Sequence, residues 1–162
     1  MSRLRNTLFI ALLLSAIPCL AASPADYGLA MEPVLREALA LPDGPATQFA
    51  SFDIDGKDIF VVLTADFAMG TAKRTPFGTQ ATKRTRPPES TILNTMKRAL
   101  TACSSLPAGQ GTLYLIIIDR PLFSNPFSAN PEQTTYKAWV ALRDLTGQDP
   151  AGSIRVETAE SR

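Results

Sequence analysis

The chain has 162 residues, 16 Lys+Arg against 15 Asp+Glu, and 45% hydrophobic residues. It contains no histidine, which removes the commonest general base and the commonest metal ligand together. The length suits one domain with a sizeable core.

Residues 1–22 read as a secretory signal peptide. Arg3 and Arg5 give a positive start, and Leu8–Ile17 (LFIALLLSAI) is an apolar run too short to cross a bilayer. Cys19-Leu20-Ala21-Ala22 then offers small residues for cleavage. A lipid anchor on Cys19 is the alternative, although Ile17 and Pro18 stand where that signal wants small residues. The expected destination is therefore the periplasm or the exterior, with no transmembrane span after cleavage.

Processing leaves Cys103 as the sole cysteine. No intramolecular disulfide can form, and a thiol on the apolar face of an expected helix is a buried, inert one. Loss of Arg3 and Arg5 leaves 14 basic against 15 acidic residues. Five of the 14 (Lys73, Arg74, Lys83, Arg84 and Arg86) fall within Phe67–Pro88, which contains no acid. The rest carries 9 against 15, so the mature chain is an acidic body with one cationic segment.

In chain order, Ser23–Gly28 reads as a weakly structured leader and Glu32–Leu41 as a short helix with Pro33 in its first turn. Pro42-Asp43-Gly44-Pro45 ends it. Thr47–Ile54 and Lys57–Thr64 flank Asp55-Gly56, a pair favoured in two-residue hairpin turns. That turn would set Phe52 against Ile59 and Asp53 against Asp58, a like-charge pair. A cation held by Asp53, Asp55 and Asp58 would relieve it. The spacing departs from the calcium-loop pattern, and a solvated acidic tip is the simpler reading.

Asp66–Pro88 shows no hydrophobic period and is expected as a long loop. It carries an imperfect repeat ten residues apart, TAKRTP echoed by ATKRTRP. Ser90–Ser105 is an amphipathic helix, with Ile92, Leu93, Met96, Ala99, Leu100 and Cys103 on one stripe. Gly111–Arg120 (GTLYLIIIDR) reads as the central strand, covered on both faces. Pro121–Asn130 is a second long loop. Asn130-Pro131-Glu132-Gln133 resembles a helix start, predicting a helix to about Thr146 that presents Tyr136, Trp139, Val140, Leu142 and Leu145. Ser153–Thr158 alternates like a terminal strand with one exposed face.

The expected fold is α+β (α/β-like), in the order α-β-β-α-β-α-β, with a four-stranded mixed sheet and two main helices packed against it. After the signal peptide and a 23–46 leader with its short helix, one domain spans 47–160 with a basic loop at 67–88. Parallel pairing of the second and third strands brings the segments leaving their carboxyl ends to one rim, where open sheets bind ligands. That rim would gather Asp66, Lys73, Arg74, Lys83, Arg84, Arg86, Asp119, Arg120, Ser124 and Asn125 as candidate binding residues. The function expected is a binding module whose basic loop engages an anionic protein or cell-envelope component. Export and the acidic body argue against nucleic acid. Two alternatives are a metal-dependent hydrolase built on Asp66 and Asp119, and an accessory subunit of an envelope complex whose terminal strand pairs with another chain. No nucleophile elbow, phosphate loop or dinucleotide fingerprint occurs, so no catalytic residue and no cofactor is expected.

Overall fold

The structure is a computed structural model and describes residues 21–161 except 43, 45, 77, 108 and 122–132. All but the last two residues of the expected signal peptide, and the loop that holds Ser124 and Asn125, lie outside the described residues. The fold is α+β: one mixed sheet of five strands with helices on one face, plus a separate two-stranded ribbon.

Helix α1 runs from Pro24 to Ala38, so the segment read as a leader is its first turn. Ser23 caps it. The Ser23 side chain accepts from the Asp26 amide, and the Asp26 carboxylate accepts from the Ser23 amide at 2.8 Å. This reciprocal cap works as a capping box does, with Asp in place of the usual Glu or Gln. The helix continues through Pro33 rather than starting there. Its stripe of Tyr27, Met31, Leu35 and Leu39 is fully buried, and that packing outweighs the lost backbone bond at Pro33.

Strands β1 (Thr47–Ile54) and β2 (Asp58–Ala65) form the expected hairpin. Asp55 and Gly56 both have positive φ, at 56° and 64°. The ladder is one residue off the expected register, because Lys57 joins the turn and Ile54 pairs with Asp58. Asp53 therefore faces Ile59, and the like-charge pair never forms. Asp58 instead accepts from the Thr112 amide at 2.9 Å and ties the start of β2 to the start of β5 (Thr112–Asp119). Gly111, at φ 100°, passes so close to the Lys57 carbonyl that a Cβ would overlap it.

Strands β2 and β5 pair in parallel, as expected, through helix α2 (Glu89–Ala102). After β5 the chain departs from expectation. Residues 133–141 form strand β6, not a helix, and it pairs antiparallel with β5. Strand β7 (Arg155–Ser161) pairs antiparallel with β6 at the sheet edge. The sheet thus has five strands, in the order β1-β2-β5-β6-β7. Two one-turn helices, α3 (Leu142–Leu145) and α4 (Pro150–Ser153), connect β6 to β7. Tyr136, Ala138 and Val140 alternate inward along β6. The spacing of Tyr136, Trp139 and Val140 also fits a helix, and the β-branched and aromatic content decides for strand.

The core lies between one sheet face and the two long helices. Val61 and Leu63 of β2 and Leu113, Leu115 and Ile117 of β5 are fully buried against Ile92, Met96, Ala99 and Leu100 of α2 and the stripe of α1. Each such side chain contributes about 1.5–3 kcal/mol of burial. Strand β5 is covered on one face only: Tyr114, Ile116 and Ile118 point to the other side and stay partly exposed. No helix among the described residues is long and apolar enough to cross a membrane.

Candidate functional site

The segment read as a structureless loop contains an antiparallel ribbon of β3 (Met69–Thr75) and β4 (Gly78–Lys83). The first half of the sequence repeat falls in β3, and the second begins in β4 and continues into the returning leg from Arg84. The two strands pair only with each other, so no buried face had to be written into the sequence as an apolar alternation. That is why periodicity gave no sign of it. Thr71, Thr75, Thr79 and Thr82 supply the β-branched content instead.

The register decides where the cations lie. Lys73 pairs with Gln80, whereas Lys83 pairs with Met69 at the base. Lys73 and Lys83 therefore sit at different heights along the ribbon, about 10 Å apart at 3.4 Å per residue. Lys83 is exposed.

The base of the ribbon is fixed to the carboxyl ends of β2 and β5, as the parallel pairing requires. Ala65 and Asp119 are register partners, and the Arg120 amide donates to the Ala65 carbonyl at 3.0 Å. Asp66 leaves β2 in a tight turn, its Oδ1 accepting from the Ala68 amide at 3.0 Å. Phe67 then turns back into the core, where it is 1% exposed. On the returning leg the Arg84 amide donates to the Ala68 carbonyl at 2.8 Å, and its guanidinium donates to the Ala40 carbonyl beyond the end of α1.

Asp119 closes this base. It continues the inward alternation of Leu113, Leu115 and Ile117 and is fully buried. Its Oδ1 accepts from the Phe67 amide at 3.1 Å on the outgoing leg. Its Oδ2 lies 2.7 Å from Arg86 Nε on the returning leg, an ion pair with its N–H direction outside hydrogen-bond geometry. Burial pushes the Asp119 carboxyl above the usual aspartate range. The Phe67 amide and the Arg86 charge pull it back down, while the neighbouring Asp66 charge adds to the rise. One buried carboxylate thus holds both legs.

The candidate residues divide accordingly. Asp66, Asp119, Arg84 and Arg86 hold backbone or one another, whereas Lys83 and Arg120 are exposed at the rim. Lys73 and Arg74 stand on β3. Sequence reasoning missed Phe67 as a core plug and Arg86 as the partner of Asp119, although the alternation along β5 already marks residue 119 as inward-facing. Asp53, Asp55 and Asp58 form no cluster, and among the described residues no three His, Cys, Asp or Glu side chains could share a metal ion. A groove of about 450 Å³ beside Val34, Lys97 and Thr101, and another of about 320 Å³ beside Gly109 and Ala141, lie away from this rim. Comparison with known protein families, curated proteins and solved structures finds no match for this chain.

Proposed function

We propose that this chain is an exported binding module that uses the β3–β4 ribbon as a cationic arm against an anionic partner or cell-envelope component. The observation that carries this is the anchored base. A ribbon bearing Lys73, Arg74 and Lys83, with no acid between Phe67 and Pro88, leaves the domain on two legs joined by Asp119. A free cationic loop would lose conformational entropy on binding. A paired ribbon fixed at its root has already lost most of it. The mature remainder carries 9 basic against 15 acidic residues, so attraction to a polyanion is local to the arm and opposed elsewhere.

The anchoring also favours binding over catalysis at this rim. Asp119 is sealed from solvent, and Asp66 holds the turn it begins. Neither stands ready as an acid, a base or an open metal ligand.

The test is capture from an envelope extract by the mature domain, beside a Lys73→Gln/Arg74→Gln/Lys83→Gln variant that spares the anchoring Arg84 and Arg86. The expected result is a partner retained by the unmodified domain alone and released by moderate salt, with both proteins melting alike. Equal capture by both overturns the proposal.

A further inference from the structure

Helices cover one face of the sheet, and the other carries a row of side chains that crosses all five strands. Register places Phe52 of β1 beside Phe60 of β2, then Tyr114 of β5, Trp139 of β6 and Arg155 of β7. Phe52 and Phe60 stack at 5.5 Å and 10° between planes, and Phe60 and Tyr114 at 4.6 Å and 8°. Lys137 Nζ lies 5.1 Å from the Trp139 ring centroid and 5.6 Å from that of Tyr114. The next row along the strands holds Ala50, Val62, Ile116, Lys137 and Glu157. At the β1 edge Phe52 and Ile54 are 45% and 49% exposed.

The ring geometry limits what can cover this face. Parallel rings stacked on one another spend their faces on their neighbours and stand edge-on to solvent. They cannot serve as platforms for bases or sugar rings, which stack face to face. The row is an apolar ridge, suited to another apolar surface.

We infer that this face is an interface between two copies of this chain, packed sheet on sheet. The area suffices. Five strands about 4.8 Å apart and about 26 Å long give a face of roughly 600 Å² per copy, about 1,200 Å² in all, the lower end of stable specific interfaces. Charge selects the symmetry. A two-fold axis along β5, the middle strand, lays the row on itself in reverse. Tyr114 then meets its own copy, Phe60 meets Trp139 of the second copy, and Phe52 meets Arg155 of the second copy at the rim. Arg155 faces a ring of the second copy, Lys137 faces its Val62 and Glu157 faces its Ala50, so no like charges meet across the axis. An axis across the strands at this row would set Arg155 against Arg155 of the second copy. Aligned packing of two twisted sheets is a standard sandwich geometry.

Trp139 is the only tryptophan, so its fluorescence reports on this face. Sedimentation velocity of the mature chain over a wide concentration range, with Trp139 emission and acrylamide quenching in parallel, tests the inference. The expected result is a monomer–dimer equilibrium in which dilution shifts the emission to the red and increases quenching. Phe52→Glu weakens the dimer at least tenfold and lowers the melting temperature of the monomer only slightly, since Phe52 is half exposed and loses within the chain only its stack on Phe60. Three results overturn it: a monomer at every concentration, a dimer that Phe52→Glu does not weaken, or Trp139 shielded only when lipid vesicles are added.

Discussion

Replacing Arg86 with alanine strips the counter-charge from a carboxylate that water does not reach. Asp119 Oδ1 keeps the Phe67 amide, and Oδ2 loses the guanidinium 2.7 Å away. A buried carboxylate without its partner escapes by taking up a proton. In the unfolded chain an aspartate titrates near 3.9, so keeping it neutral at pH 7 costs about 1.36 kcal/mol for each of about three pH units, roughly 4 kcal/mol. That is a ceiling. The Arg86 side chain is 43% exposed, so solvent screens part of its contribution, and the expected loss is about 2–3 kcal/mol. The sign of the pH dependence follows from the direction of the shift. Burial already holds the Asp119 pKa above its ordinary value, and removing Arg86 raises it further. A group with a raised folded pKa contributes fully below the unfolded value, and the contribution is lost as pH rises through the folded one. The penalty of Arg86→Ala is therefore smallest near the ordinary aspartate pKa and grows toward neutrality. Urea unfolding of wild type, Arg86→Ala and Arg86→Ala/Asp119→Asn, at acid and neutral pH, measures it. The asparagine keeps an oxygen for the Phe67 amide and removes the charge, so the double variant recovers much of the loss at neutral pH. An equal loss at both pH values, or no recovery by Asp119→Asn, would mean that the unpaired Asp119 charge is not the source of the loss.

Three further outcomes are expected. Gly111→Ala places a Cβ on the Lys57 carbonyl at a φ of 100° and lowers stability by at least about 2 kcal/mol in denaturant unfolding; a change under about 0.5 kcal/mol contradicts the packing at that crossing. Asp58→Ala leaves the Thr112 amide without its partner and costs about 1–2 kcal/mol, with faster amide exchange at Thr112 than at Leu115 as the local readout. Burial pushes the Cys103 thiol up to about 12, so a thiol reagent at mildly alkaline pH labels it only as fast as the protein opens. Rapid stoichiometric labelling of the native chain would contradict that.

The parts of the fold legible in the sequence are those whose packing is written as a period. The α2 stripe, the β1–β2 hairpin around Asp55-Gly56 and the central strand are of this kind, and the parallel rim at Asp66 and Asp119 follows from them. The ribbon was illegible because its strands pair only with each other and not with the main sheet. Strand β6 was misread because Tyr136, Trp139 and Val140 satisfy a helical spacing, whereas Tyr136, Ala138 and Val140 satisfy a strand. The start of α1 hid behind Ser23-Pro24-Ala25-Asp26, a capping box with the shorter acid. The Arg86–Asp119 pair joins residues far apart in sequence, and no local signal names a partner for an inward aspartate. Only the fold does that. The aromatic row is likewise invisible along any one strand, since each contributes a single member.

On the proposed function, the ribbon's own cations, and not the anchoring arginines, make the domain bind anions. The most direct measurement is a titration of the mature domain with heparin as a soluble polyanion at low and at moderate salt, beside the Lys73→Gln/Arg74→Gln/Lys83→Gln variant. The expected result is binding that weakens steeply with salt, and at least about a tenfold loss in the variant without a change in melting temperature. Equal affinity of the two proteins at low salt would mean that Lys73, Arg74 and Lys83 do not carry the binding.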